Sequence, residues 1–172
     1  MEGREIPAAH LARAQLAHVV ATGKRSVLGT PGFMAPEIVM RQGRPGANSD
    51  LFSLAALLFM LLTRHHPLRG QLELAIRCLD EPARRRLYGE SPLFIFDPRD
   101  TSNEAVGTAV DPLGEGGANA LNYWPIYPQF FRDTFVKAFT TGIRDPEHGR
   151  VGEWEWRCVL SRLRDSIFYC SN

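Results

Sequence analysis

The sequence predicts a mainly α-helical fold packed around one buried central helix. Three observations predict it. Leu51 to Leu62 is apolar on nearly every side, the mark of a helix enclosed by other elements. Phe131, Phe135 and Phe139 recur at i, i+4 and i+8, which gives a second helix one apolar face. Trp156, Val159, Leu160, Leu163 and Ile167 give a third helix the same. The chain has 172 residues, 44% hydrophobic and 23% charged, ordinary for one globular domain with its own core.

In chain order, Ala8 to Val20 is a helix on propensity alone. Gly23 to Gly46 is dense in Gly and Pro and reads as an ordered loop. One short helix is expected there at Pro36, since proline suits a first helical turn. Asn48-Ser49-Asp50 is a capping cluster that opens the central helix at Leu51. That helix is expected to be buried all round and to end at His65-His66-Pro67. Leu72, Ala75, Ile76 and Leu79 stand at helical spacing within Gln71 to Leu87, with Pro82 interrupting. Leu93 to Phe96 is a short strand-like run, and Asp97 to Asn122 a long loop. Tyr123 to Phe139 is aromatic-rich, and Gly142 stops its helix. There is no internal repeat.

Net charge is +1, which speaks against a polyanion-binding surface spread over the molecule, so no nucleic-acid partner is expected. Cys78, Cys158 and Cys170 are odd in number and far apart. They form no disulfide framework and suit a reducing compartment. The longest apolar stretch falls short of the roughly 20 residues that span a bilayer. Glu2 and Glu5 begin the chain where a signal peptide would be basic. A cytoplasmic protein with no membrane partner is expected.

The string Gly29-Thr30-Pro31-Gly32-Phe33-Met34-Ala35-Pro36-Glu37 closely resembles the end of the activation segment of protein kinases, G-T-P-x-[FY]-x-A-P-E. Two further matches follow in order. Asp50-Leu51-Phe52-Ser53-Leu54-Ala55 is similar to D-x-[WF]-S-x-G, with Ala55 where glycine is usual. Asp145-Pro146-Glu147-His148-Gly149-Arg150 is similar to D-P-x-x-R, with one extra residue before the arginine. The resemblance implies a Ser/Thr kinase C-lobe over residues 22–170, with helices around one central helix and a long insert loop.

The resemblance also assigns roles. Gly29, Thr30, Pro31 and Phe33 would form the shelf that positions a protein substrate, with Thr30 favouring Ser/Thr over Tyr. Ala35, Pro36, Glu37, Asp50 and Arg150 would be structural. Glu37 and Arg150 are expected to meet as an ion pair, and Asp50 to bond catalytic-loop backbone or cap its own helix. Ser26 stands where many kinases carry an activating phosphate, although a plain loop serine is the simpler reading.

The catalytic parts of such an enzyme are a Gly-rich loop, a strand lysine, H-R-D-x-x-x-x-N and D-F-G. No G-x-G-x-x-G and no H-R-D occurs in the 172 residues. Residues 1–21 form an N-terminal segment in which Ile6, Leu11, Ala12 and Arg13 align with the surroundings of D-F-G, leaving Ala8 at the aspartate. No Asp or Glu stands between Glu5 and Glu37 to hold magnesium. ATP and magnesium therefore belong to a complete kinase, and this chain is expected to bind no cofactor.

Leu87 to Pro98, Tyr123 to Pro128 and Trp154-Glu155-Trp156 resemble a bacterial group of eukaryotic-like Ser/Thr kinases. In that group a zinc-ribbon-like segment often follows, and Cys170 looks like the opening of its C-x-x-C. One cysteine makes no structural zinc site, which needs four ligands. Other clusters read more simply: His65-His66 near Cys78 as a loop, Arg84-Arg85-Arg86 as a solvated helix face, and Tyr123, Trp124 and Tyr127 as packing on the central helix. Two functions follow: a kinase C-lobe that is inactive alone, or a pseudokinase-like module that docks a partner protein without catalysis.

Overall fold

The computed structural model describes residues 32–107 and 117–167. Helix α1 (Pro36–Val39) is a single turn, and α2 (Ala47–Thr63) is the central helix. Three short pieces follow: α3 (Gln71–Leu74), α4 (Glu81–Arg85) and a π-helical turn (Arg86–Glu90). Then come α5 (Ala118–Tyr123), a 3-10 turn (Trp124–Ile126), α6 (Gln129–Phe139), α7 (Thr141–Arg144) and α8 (Glu153–Asp165). Among the described residues there is no strand, and no helix is long and apolar enough to cross a membrane.

The central helix starts earlier than the capping cluster suggests. Ser49 accepts the Gly46 N–H at 2.9 Å and donates to the Gly46 carbonyl at 2.8 Å, closing the first turn on itself. Asp50 is therefore inside the helix and not its cap. An acidic side chain in a first turn still complements the helix dipole. The far end also differs from expectation. Arg64 takes the left-handed conformation (φ 55°) and its N–H closes on Met60, so the chain turns before His65, and both histidines fold inward.

Nor is α2 buried all round. Phe52, Ala55, Ala56, Phe59 and Thr63 form its buried face, while Leu57 is 53% and Leu61 72% exposed. The apolar run hides this asymmetry, because one face carries small or aromatic side chains and the other carries leucines.

Phe59 is the hub of the core. Its ring lies 5.2 Å from Phe135, 5.5 Å from Phe94, and 5.9 Å from both Phe139 and Trp124. The three phenylalanine pairs are edge-to-face, an arrangement that adds stabilisation beyond area burial. Trp124 stacks on Phe96 at 4.4 Å, and Tyr127 donates to the Leu62 carbonyl at 2.8 Å, so both pack against α2. Helix α6 buries Phe131, Phe135 and Phe139 together, and Trp156 of α8 lies 5.0 Å from Phe135.

Several sequence expectations shift here. Leu93 to Phe96 is not a strand. Ile95 bonds once to the Pro67 carbonyl and once from Ala105, two isolated contacts without a ladder. Pro82 does not interrupt a helix but sits in the first turn of α4, which Asp80 caps through the Ala83 N–H. The loop from Asp97 ends sooner than expected, at α5. Gly142 does not stop α6; it is buried inside α7, where an added Cβ would lie 3.3 Å from the Arg150 Cα. The helix expected at Ala8 to Val20 lies outside the described residues.

Candidate functional site

The site is the descending stretch Gly32 to Glu37 and the groups that hold it. Gly32 has φ 94°, a conformation that favours glycine. The Gly32 carbonyl accepts a hydrogen bond from Nε2 of His66 at 2.6 Å, and Nδ1 of His66 accepts the Leu68 N–H at 3.1 Å. These two bonds specify one neutral tautomer. Burial lowers the His66 pKa to about 4, consistent with a ring that must stay uncharged. The next carbonyl, Phe33, accepts from the Ser53 hydroxyl of α2 at 2.7 Å.

Ala35 and Pro36 are buried, and the Ala35 carbonyl accepts from Ile38 and Val39 to start α1. Pro36 fits because a first helical position has no use for its missing N–H. Glu37 then points across to Arg150. Nη2 of Arg150 lies 2.7 Å from both carboxylate oxygens, Nη1 donates to the Asn48 carbonyl at 2.5 Å, and Nε reaches the Gly142 carbonyl at 3.4 Å. The Arg150 side chain is 4% exposed and that of Glu37 23%. One guanidinium thus ties α1, the start of α2 and α7 together.

The loop that presents Arg150 is shaped by its own first residue. Asp145 Oδ1 accepts the His148 N–H at 3.1 Å, and its carbonyl accepts the Gly149 N–H at 2.8 Å. Gly149 is the extra residue before the arginine. A Cβ there would lie 2.6 Å from the Thr141 carbonyl, so only glycine lets the longer loop close. Asn48 closes it from the other side by donating to the Pro146 carbonyl at 2.6 Å.

Of the residues singled out in the sequence, the structure brings Ala35, Pro36, Glu37 and Arg150 into one cluster, with Phe33 beside it. Asp50 stands apart: it is exposed and its carboxylate has no partner among the described residues. Ser26, Gly29, Thr30 and Pro31 lie outside the described residues, as does Cys170. His66 and Asn48 were not singled out for this site, and only Asn48's nearness to Asp50 pointed to it.

A polar network adjoins His66, the partner of Gly32. The His66 ring meets Tyr88 edge-to-face at 5.4 Å. Tyr88 donates a short hydrogen bond to the buried Glu73, whose other oxygen takes Nε of Arg69 at 2.6 Å. Burial and the Glu73 carboxylate both push the Tyr88 hydroxyl pKa up. His65 is committed elsewhere, with Nε2 2.6 Å from the Arg69 carbonyl. Cys78 is exposed, and no group of side chains suited to a metal ion occurs among the described residues.

Known proteins give partial matches to this chain. Over 123 residues it is 30% identical to CBL-interacting protein kinase 4 of Oryza sativa subsp. japonica, covering 72% of this chain and 26% of that protein. It is 40% identical over 42 residues to CBL-interacting protein kinase 15, and 44% identical over 39 residues to CBL-interacting protein kinase 2, from the same plant. These shorter matches cover 24% and 23% of this chain, and 10% and 9% of those proteins. The chain thus spans about a quarter or less of the relatives it matches. No family model and no solved structure matches. These partial similarities support a kinase-related region.

Proposed function

We propose that this chain carries the C-lobe of a Ser/Thr protein kinase, forming the base on which a complete enzyme holds its protein substrate. The Glu37–Arg150 pair carries the reading. It joins two strings 113 residues apart, each of which resembles the kinase pattern, through a single nitrogen, Nη2, that meets both carboxylate oxygens. The bonds from His66 and Ser53 to the Gly32 and Phe33 carbonyls hold the later part of the candidate shelf, Gly29 to Met34. Thr30 within that shelf is the basis for preferring Ser/Thr acceptors.

Phosphoryl transfer needs a metal to offset the charge on the transferring group and a carboxylate to hold that metal. The stretch between Glu5 and Glu37 offers no carboxylate. We therefore expect these 172 residues to transfer no phosphate by themselves, with ATP and magnesium bound only where the missing motifs are supplied. The plant relatives do not bear on the bacterial subgroup, which rests on the strings around Leu87, Tyr123 and Trp154 alone. A cytoplasmic location remains part of the proposal.

The test is to titrate the purified chain with ATP and Mg²⁺ while following its melting temperature and phosphate transfer to a generic protein substrate. No shift and no transfer are expected. A rise in Tm that scales with ATP would overturn the reading of an incomplete nucleotide site. The second reading is a non-catalytic docking module.

A further inference from the structure

The described surface carries a cleft of about 390 Å³ between α1 and the α4–π-turn unit, lined by Arg41, Arg85, Arg86, Glu81 and Glu90 together with the apolar Val39 and Pro82. We infer that this cleft docks an acidic, extended segment of a partner protein. Three observations carry the inference, and none depends on the kinase reading.

The first is that the cleft is built from uncommon backbone. Arg86–Glu90 is a π-helical turn, a conformation concentrated at functional sites. Arg41, which also lines the cleft, follows the end of α1 in the left-handed conformation at φ 59°, a common way for a helix to stop. Together these set arginines on both walls. The second is the fit of the walls. Gly89 sits so close to α1 that an added Cβ would lie 2.9 Å from Met40 Sδ and 2.9 Å from Val39 Cγ1. The π turn and the end of α1 therefore pack directly against each other beside the cleft.

The third is charge. The guanidinium groups of Arg41 and Arg86 have no hydrogen bond or ion pair among the described residues, and Arg85 is only loosely opposed by Glu90 at 3.8 Å. Arginine forks of this kind recognise carboxylates bidentately, and arginine clusters are a recurring mode of acidic-motif capture. The two glutamates narrow the class of ligand. They would repel a continuous phosphate backbone, whereas a peptide can space its carboxylates to meet the arginines and lay apolar atoms on Val39 and Pro82.

The experiment uses the whole chain and a short fluorescein-labelled peptide alternating Glu and Ser, followed by fluorescence anisotropy. Saturable binding is expected at low salt and weaker binding at physiological salt. Arg86→Glu should weaken it by about tenfold or more, the worth of one charge-assisted contact. Arg41→Asn is the second variant. Asn tolerates the left-handed backbone better than Arg, so this variant should fold at least as stably yet bind more weakly. Arg157→Glu on α8 should leave binding unchanged. No saturable binding, binding indifferent to both cleft variants, or equal competition by a single-stranded oligonucleotide would each overturn the proposal.

Discussion

Arg150 shows how one side chain can hold distant parts of a fold. Its guanidinium is almost fully enclosed and spends its donors on Glu37, Asn48 and Gly142. Arg150→Ala or Glu37→Ala should each cost about 3–5 kcal/mol in urea denaturation, because each leaves an unmatched charge. The double variant should cost less than their sum, as coupled partners do. His66 gives a pH test. Its folded pKa is lowered from 6.5 to about 4, so the unfolded chain binds the proton more readily. Its contribution is complete above pH 6.5 and is lost as pH falls from there towards 4. The loss totals about 3 kcal/mol. Denaturant midpoints taken across that window should fall in the native protein and stay flatter in His66→Gln. At this scale the sequence was informative where a motif named the residue, as at Glu37 and Arg150. It was silent on His66, whose role depends on a left-handed turn at Arg64 that no local pattern announces.

Among the elements, the central helix separates its two faces most sharply. Phe59→Ala removes the ring on which Phe94, Trp124, Phe135 and Phe139 converge, and should cost about 3–5 kcal/mol by calorimetry or urea titration. Leu61→Gln on the exposed face should change stability by no more than about 0.5 kcal/mol. If both proved equally costly, the exposed face would be covered in solution. Periodicity was enough to locate α2, α6 and α8, because their apolar spacing is long and regular. It failed from Gln71 to Glu90, where Pro82 opens a helix and a π turn follows. There the outcome was decided by tertiary contacts: Asn103 donates to the Leu68 and Leu93 carbonyls and accepts the Leu72 N–H. A buried asparagine serving three segments leaves no trace in hydrophobic spacing.

For the whole molecule, the kinase-related strings were legible because they stand in order along the chain, and the structure shows two of them in contact at Glu37 and Arg150. A loop one residue longer than the pattern is accommodated at Gly149. Gly149→Ala should therefore destabilise the chain by misplacing Arg150, and a variant that deletes Gly149 should recover part of that loss, both read from melting curves.

The same contacts impose an order on biosynthesis. Arg150 reaches Asn48 and Glu37 across 102 and 113 residues. While the chain is still emerging from a ribosome, α1 can be held by Ser53, His66 and the π turn, but the tie from Glu37 to Arg150 must wait for residues 113 positions further on. The Glu37 ion pair is therefore among the last contacts of this stretch to form. A nascent chain stalled before Arg150 should be cut by protease around α1 faster than one released past α8.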